Sequence, residues 1–353
     1  MTLTSTEKID VVNIGLMLIS CVVAIILPFE LFLIVYAILG PLHYLTEISW
    51  LHDRKYFTKG KYDWLALLII GLLITAFQFK EKINEALGID ISYPDSFNSN
   101  LVYVGLLGSI VFATVKNNFY RIAGLVLLIL TSGLSKHMFV FFTIFIPTLI
   151  HVYIFTGLFM LFGALKSKSR FGIASVIALA LCPVLLFTVY PNTYFFAITP
   201  EHKSIYNGFF KLLNISTLVD IFHVSKPVVN APVPTEQLVN NAWDGILYHS
   251  QTGIMLMRFI SFAYTYHYLN WFSKTKVIQW HKVPKARFAG VIVFWLISLA
   301  IYMKDYALGL QWLFFLSFLH VLLEFPLNVT SIVGIGKHFV GKGSKSTPVP
   351  KQA

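Results

Sequence analysis

The chain has 353 residues, of which 57% are hydrophobic and only 12% are charged, and its mean hydropathy is +0.73. Soluble globular domains have about 45–50% apolar and about 25% charged residues, so this composition excludes a disordered chain, a disulfide scaffold and an ordinary soluble enzyme. The formal net charge of +11 does not indicate nucleic-acid binding, because the basic residues lie between apolar runs, where they set membrane topology and contact anionic headgroups.

Ten apolar segments approach or reach the length of about 20 residues that a membrane-spanning helix needs. The first of them lacks the basic n-region and the small-residue cleavage site of a signal peptide, so we assign it to the mature protein. The sequence therefore predicts an all-α fold, a polytopic integral membrane helical bundle of about ten transmembrane helices. The predicted spans are 11–29, 31–51, 64–79, 100–116, 119–136, 138–165, 172–190, 253–273, 288–303 and 306–325.

Lysine and arginine are distributed unevenly between alternate loops. With both termini cytoplasmic, the inner loops carry most of these residues, in clusters at 54–61, 166–170 and 274–287. An excess of basic residues in cytoplasmic loops is the general rule for membrane proteins. We therefore predict that both termini are cytoplasmic in a bacterial inner (cytoplasmic) membrane, while the pattern leaves a eukaryotic membrane open.

Two segments are not predicted to span the membrane. The stretch 191–250 is long, polar and interrupted by prolines, which is typical of a functional cap or linker, and its piece from Lys203 to Phe222 is amphipathic enough to lie on the outer interface. The basic C-terminal end has the composition of a disordered segment. The predicted organisation is transmembrane helices 1–7 in 1–190, an extracytoplasmic loop or cap in 191–250, transmembrane helices 8–10 in 251–330 and a disordered basic tail in 331–353.

Ionisable residues within the predicted spans are the candidates for function, because polar groups at membrane depth are costly. His43 and Glu47 are four residues apart in the second span, so they share one helix face. His320 and Glu324 repeat this spacing in the tenth span. Arg258, near the outer end of its span, is expected to extend its charged group to the interface.

Two further histidines, His151 in the sixth span and His267 in the eighth, complete the set. Each of the four histidines lies about 13 to 15 residues from the outer end of its span, which is roughly 20 Å at about 1.5 Å per residue. Each of four helices therefore carries a histidine at about the same depth in the membrane. Pro41 and Pro147 precede two of these histidines, and the kinks that they cause favour a cavity beside them.

Neutral imidazole binds iron, zinc and copper, and helical bundles build metal sites from inward-facing histidine and glutamate. We predict a metal site formed by His43, His151, His267 and His320. Glu47 and Glu324 are either additional ligands or partners that accept the second ring N–H of a histidine. The alternative is that each histidine only forms a hydrogen bond with a neighbouring helix.

Four short windows resemble the Brp/Blh family of membrane-bound β-carotene dioxygenases. The sequence GPLHYLTE at 40–47 is similar to the early G-[LI]-P-H-G-A-L-D motif of the family, and TLIHV at 148–152 is similar to its I-H motif. FAYTYHYLNWF at 262–272 is similar to its F-I-H-S-R-R-H-F run, and LHVLLE at 319–324 to its final P-H-M-I-L-I-D motif. The order is the same, and an acidic residue follows the first and last histidines in both.

Members of that family hold one iron on histidines and split the central double bond of β-carotene with O2 to give retinal. The resemblance implies that His43, His151 and His267 are iron ligands. The third motif of the family has two histidines four residues apart, whereas Trp271 stands at the second position here. His320 would then have to supply the missing ligand.

Three functions are compatible with these residues. The first is an iron-dependent dioxygenase, with Fe2+ as cofactor or zinc as the alternative metal, which takes an apolar small-molecule substrate from the lipid phase and reacts it with O2. The second is an ion- or proton-coupled transporter that uses the intramembrane His and Glu residues. The third is a non-catalytic membrane scaffold. In each case membrane lipids are the expected surroundings, and nucleic acid is not an expected partner.

Overall fold

The computed structural model describes residues 3–90, 96–132, 141–189, 198–213, 244–245 and 247–341. Within these ranges every regular element is a helix and no strand occurs, which agrees with the all-α prediction. Two short turns of helix, Lys55–Phe57 and Thr275–Ile278, lie in the connections. The main helices are α1 Ser5–Ile26, α2 Glu30–Asp53, α3 Asp63–Gln78, α4 Lys80–Leu87, α5 Ser96–Thr114, α6 Asn118–Thr131, a π-helical segment Phe141–Phe155 that continues as α7 Thr156–Ser167, α8 Arg170–Thr188, α9 Pro200–Leu213, α10 Gln251–Ser273, α11 Lys285–Lys304 and α12 Tyr306–Phe339.

Seven described helices are long and apolar enough to cross a membrane: α1, α2, α5, the helix from Pro147 to Ser167, α8, α11 and α12. Helices α3 and α4 together form an eighth candidate, with a bend of 76° between them. Two of the predicted spans, 119–136 and 253–273, correspond to helices outside this set. Helix α6 has only 14 residues, and α10 carries too many polar side chains.

Helix α10 is polar because it lies in the interior of the bundle. Its residues from Ile260 to Tyr268 are all buried, so no face of this stretch is in contact with lipid. It packs against α1, α2 and the π-helical segment. A helix that is surrounded by other helices can carry polar groups that a lipid-facing helix excludes, and α10 can therefore present a histidine to the centre of the molecule.

Side-chain caps fix where several of these helices begin. An oxygen on the residue before the helix accepts a hydrogen bond from a backbone N–H of the first turn, which satisfies a group that would otherwise lack a partner. This arrangement sets the register of α10 and α12, and hence the height of the histidines that they carry. The capping residues are Thr4 for α1, Asn117 for α6, Ser169 for α8, Ser250 for α10 and Asp305 for α12.

The connections after α2, α7 and α10 lie together at one end of the bundle, which we call the basic end (54–62, 168–169 and 274–284). The indole Nε1 of Trp50 donates to the carbonyl of Ile278 at 2.8 Å. Arg287 donates to Asp53 at 2.6 Å. These contacts join the connections after α2 and α10, and the end of α7 lines the same cavity as Lys274 and Ile278.

The predicted boundary of the C-terminal tail was wrong. Helix α12 continues to Phe339, nine residues beyond 330, because apolar residues persist in this stretch with no break in the helix. The rest of the predicted tail, 342–353, lies outside the described residues. Of the predicted cap 191–250, helix α9 covers the first part of the amphipathic piece, and most of the remainder also lies outside the described residues.

Candidate metal centre

The four predicted histidines lie together in the interior, although they come from four separate helical segments. His43 is on α2, His151 on the π-helical segment, His267 on α10 and His320 on α12. All four are buried, with 1% to 7% of their surface exposed. The ring centroids of His43 and His267 are 4.7 Å apart, and those of His151 and His320 are 4.9 Å apart. The predicted convergence of the four histidines is therefore found in the structure.

The ring nitrogens of these histidines face one another in two pairs. The Nε2 atoms of His43 and His267 are 3.0 Å apart, and those of His151 and His320 are also 3.0 Å apart. Two nitrogens at right angles around a metal, each about 2.1 Å from it, would be about 3.0 Å apart. The pairs thus have the spacing of adjacent metal ligands.

Two overlapping groups of three residues have the compactness of a ligand set. The ligand atoms of His43, His267 and His320 all lie within 4.8 Å of one another, as do those of His151, His320 and Glu324. Because His320 belongs to both groups, the two groups form one continuous cluster. These buried residues can hold a metal ion.

Thr156 fixes the tautomer of His267. The hydroxyl of Thr156 donates to the carbonyl of Val152 at 2.8 Å, and its oxygen lies 2.8 Å from Nδ1 of His267. Since a hydroxyl has one proton, Thr156 accepts a hydrogen bond from Nδ1–H of His267 when it donates to Val152. The lone pair of Nε2 is then free and faces the cluster, as a metal ligand requires.

Glu324 lies beside His151. Its Oε2 is 3.2 Å from Nδ1 of His151, whereas Nε2 of the same ring faces His320. A carboxylate near Nδ1 of a histidine is a common partner of metal-bound imidazole, but these two atoms do not form a hydrogen bond here. Glu324 also belongs to a compact group of ligand atoms with His151 and His320, so both of the roles that the sequence left open for it are compatible with the geometry.

Glu47 is placed differently. Its Oε2 lies 3.1 Å from Nε2 of His43, the nitrogen that also faces His267. This oxygen is buried and receives no hydrogen bond. A carboxylate oxygen beside the converging nitrogens has the position of a further ligand, so the geometry favours direct ligation for Glu47.

When both are ionised, the two buried carboxylates require a compensating positive charge. Glu47 and Glu324 are each 3% exposed, and neither is paired with a lysine or arginine among the described residues. An ionised carboxylate in a low-dielectric interior is unfavourable by several kcal/mol unless a cation compensates it. A divalent metal ion held by the neighbouring imidazoles would supply that charge.

Aromatic side chains hold the first and last histidines in place. The ring of Tyr44 stacks on His320 at 4.2 Å between centroids, and its hydroxyl lies 2.7 Å from that of Tyr268. The indole of Trp271 meets the ring of His43 edge-on at 5.5 Å and donates to the hydroxyl of Thr46. Trp271 therefore supports His43 from the side.

A cavity of about 500 Å³ connects the cluster with the basic end. Its inner part is lined by His43, Glu47, His267 and Glu324, and residues of the basic end line its other part. It passes beside the His43–His267 pair. The sequence predicted a cavity next to the histidines, and one is present.

Arg258, whose charged group was expected to reach the interface, is 1% exposed. Its guanidinium donates to the carbonyl of Val189 at 3.0 Å. The C-terminal end of α8 lies beside α10 here, so the carbonyl of Val189 is a hydrogen-bond partner of Arg258.

Several residues at the centre were not found from the sequence. Thr156 carries no motif, and its importance depends on which helix faces it. Tyr44, Thr46 and Tyr268 lie inside two of the histidine windows, so their positions near His43 and His267 were the one available indication.

Comparisons of this chain with protein-family models, with curated proteins and with solved structures gave no match.

Proposed function

We propose that this protein is a membrane-embedded, histidine-ligated non-haem iron oxygenase that acts on an apolar substrate dissolved in the lipid. The observation that carries the proposal is the pair of Nε2–Nε2 spacings of 3.0 Å among four buried histidines. In this assignment His43, His151, His267 and His320 are ligands. Glu47 is an additional ligand, and Glu324 orients His151.

The choice of iron rests on the resemblance to the β-carotene dioxygenases, because imidazole is a ligand that iron, zinc and copper all accept. Four histidines and one carboxylate would hold the metal.

When bound, ferrous iron supplies the redox chemistry by which O2 reacts with an alkene. The chain supplies positioning and exclusion of water. Thr156 and Glu324 hold two imidazoles in the ligating tautomer, and the buried wall of the cavity keeps an alkene beside the His43–His267 pair. The balanced reaction takes one alkene and one O2 and gives two aldehydes.

The resemblance to the β-carotene dioxygenases suggests a carotenoid as the substrate and retinal as the product. Three of the four windows that carry the resemblance contain members of the His43–His267–His320 group, and the fourth contains His151. The proximity of all four windows in space supports a common function for them.

For the topology we propose ten spans with both termini in the cytoplasm of a bacterial inner membrane. Each of the ten predicted segments overlaps a described helix, which supports this count. Helix α10 would be an internal span shielded from lipid, and α6 a short one. The basic end would then face the cytoplasm, in agreement with the general excess of positive charge in cytoplasmic loops.

The test is product formation by the iron-loaded protein. With β-carotene and O2, the proposal predicts two molecules of retinal for each β-carotene, measured by chromatography, and loss of product in the His320→Ala variant. His52→Ala is the matched control, because His52 is exposed at the end of α2. If the iron-loaded protein consumed no O2 with β-carotene, the carotenoid would be excluded as the substrate. If the protein failed to retain iron, the oxygenase function would be excluded.

A second candidate is an ion- or proton-coupled transporter, favoured by the cavity that reaches Glu47 and Glu324 from the basic end. Buried carboxylates and histidines are typical of proton relays. Proton or metal flux into liposomes that the His43→Ala variant abolishes would support this function. A non-catalytic scaffold would show neither flux nor bound metal.

A further inference from the structure

The cavity beside the cluster has one end among the histidines and the other at the basic end. Along α10, Lys274 at the basic end is seven residues beyond His267. At about 1.5 Å per residue this corresponds to roughly 10 Å along the helix axis. A ligand in the cavity would therefore run parallel to α10, with one end near Lys274 and the other near the His43–His267 pair.

The wall between these ends is mostly apolar. Trp50, Phe159, Met160, Trp271 and Leu327 all line it. A volume of about 500 Å³ lies within the range of pockets that enclose one small organic molecule. Such a wall favours an organic chain over a column of water or a path for hydrated ions.

At the basic end, the wall of the cavity is polar and carries more positive than negative charge. Lys166, Lys274 and Asp10 line it. The carboxylate of Asp10 already accepts a hydrogen bond from the hydroxyl of Ser169 at 2.6 Å. Among the described residues, neither lysine ammonium makes an ion pair or a hydrogen bond, so both can receive one from outside.

Lys274 is the stronger anion site of the two. It is half-buried, and burial lowers the pKa of its ammonium to about 8, while Asp10 acts in the opposite direction. A half-buried ammonium without a contacting counter-ion gains more from an anion than a solvated one does, because it has already lost part of its hydration.

We infer that the ligand of this cavity is a single-chain amphiphile with an anionic head. The head is bound by Lys274 and Lys166 at the basic end, and the chain runs along the apolar wall to the His43–His267 pair. This inference rests on the proposed function for what happens to the chain at the cluster, and it replaces the neutral carotenoid by an acidic amphiphile as the substrate class. The binding of the head does not depend on the oxygenase.

The inference also specifies which part of a substrate reacts. Because the head is held at the basic end, the reacting carbons lie at a set position along the chain.

The test uses 9,10-dibromostearate in nanodiscs, since bromine quenches tryptophan fluorescence on contact. Trp50 and Trp271 line the cavity, with ring centroids 5.7 Å apart. We expect saturable quenching by dibromostearate and at least roughly fivefold weaker apparent affinity for its methyl ester, which lacks the charge. The Trp50→Phe variant should lose part of the saturable component.

Charge substitutions locate the head. Lys274→Met should weaken dibromostearate binding roughly fivefold to tenfold, while Lys274→Arg should keep it within about twofold of the wild type. Lys276→Met is the matched control, because this lysine is exposed in the same loop but does not line the cavity. Metal content measured on each variant should be unchanged.

Equal quenching by the acid and the ester would overturn the inference, as would equal binding by the Lys274→Met and Lys276→Met variants. The same titration on metal-free protein separates the two proposals. If the protein binds no iron but still prefers the acid over the ester, the oxygenase fails and the head site stands. If iron binds but the protein does not prefer the acid over the ester, the head site is excluded and the oxygenase proposal stands.

Discussion

The hydroxyl of Thr156 offers the sharpest perturbation of the centre, because replacing it by Val changes one hydrogen bond and little volume. In Thr156→Val the Nδ1–H of His267, which lies 2.8 Å from that hydroxyl, loses its acceptor. A buried donor left without a partner costs about 1–3 kcal/mol. At about 1.4 kcal/mol per factor of ten, this corresponds to roughly fivefold to 150-fold weaker metal binding.

The assay is a competition for iron between the protein and a chelator of known affinity, with the bound metal measured by elemental analysis. Thr156→Ser, which keeps the hydroxyl, should remain within about threefold of the wild type, since both the bond to His267 and the ring tautomer are preserved. Thr75→Val is the matched control, because Thr75 makes the same kind of hydrogen bond to its own helix, at 2.8 Å to Gly71, but does not contact the cluster.

The reasoning would be refuted if Thr156→Val folded normally and bound iron within about twofold of the wild type. In that case the tautomer of His267 would not depend on Thr156. A loss of affinity in Thr75→Val equal to that in Thr156→Val would also contradict it, since the effect would then come from helix stability.

Three further predictions follow from the same contacts. Glu324→Gln should weaken iron binding roughly tenfold in the chelator competition, because the amide accepts the ring N–H less strongly than the carboxylate does; an unchanged affinity would exclude the orienting role. Binding of dibromostearate should weaken as the pH rises through about 8, because the ammonium of Lys274 loses its proton there. Lys166 and Asp10 are the other charges at this end of the cavity. The Lys274→Met variant should lack this pH dependence, and a pH dependence that persisted in this variant would contradict the assignment. Gly309→Ala should destabilise the protein by about 1–3 kcal/mol, because the added methyl would overlap the ring of a neighbouring tyrosine on α11; Gly290→Ala, with open space around it, should not lower the melting temperature.

The positions of the helices and the identity of the four histidines could be predicted from the sequence because both depend on local patterns. Apolar runs of fixed length locate the spans, and the distance of each histidine from the end of its span gives its depth. Those two measures place His43, His151, His267 and His320 in one layer, and their ring nitrogens do meet in the structure.

The partners of these histidines could not be predicted, because they depend on how the helices rotate against one another. Hydropathy gives the depth of a residue but not the direction in which it points. Thr156 reaches His267 from a different helix, 111 residues away in the chain. Likewise, the sequence left two roles open for Glu47 and Glu324, and it did not show which ring nitrogen each carboxylate approaches.

One boundary was wrong. The tail was predicted to begin at 331 because its basic composition was read without the apolar residues that extend α12 to Phe339.

The most direct test of the central claim is X-ray absorption spectroscopy at the iron edge on the full-length protein loaded anaerobically with Fe2+. We predict one iron per chain, with imidazole nitrogens at about 2.1 Å as its main ligands and a reduced nitrogen count in each of the variants His43→Ala, His151→Ala, His267→Ala and His320→Ala. A chain that retains no iron, or a His320→Ala variant with an unchanged spectrum, would contradict the account.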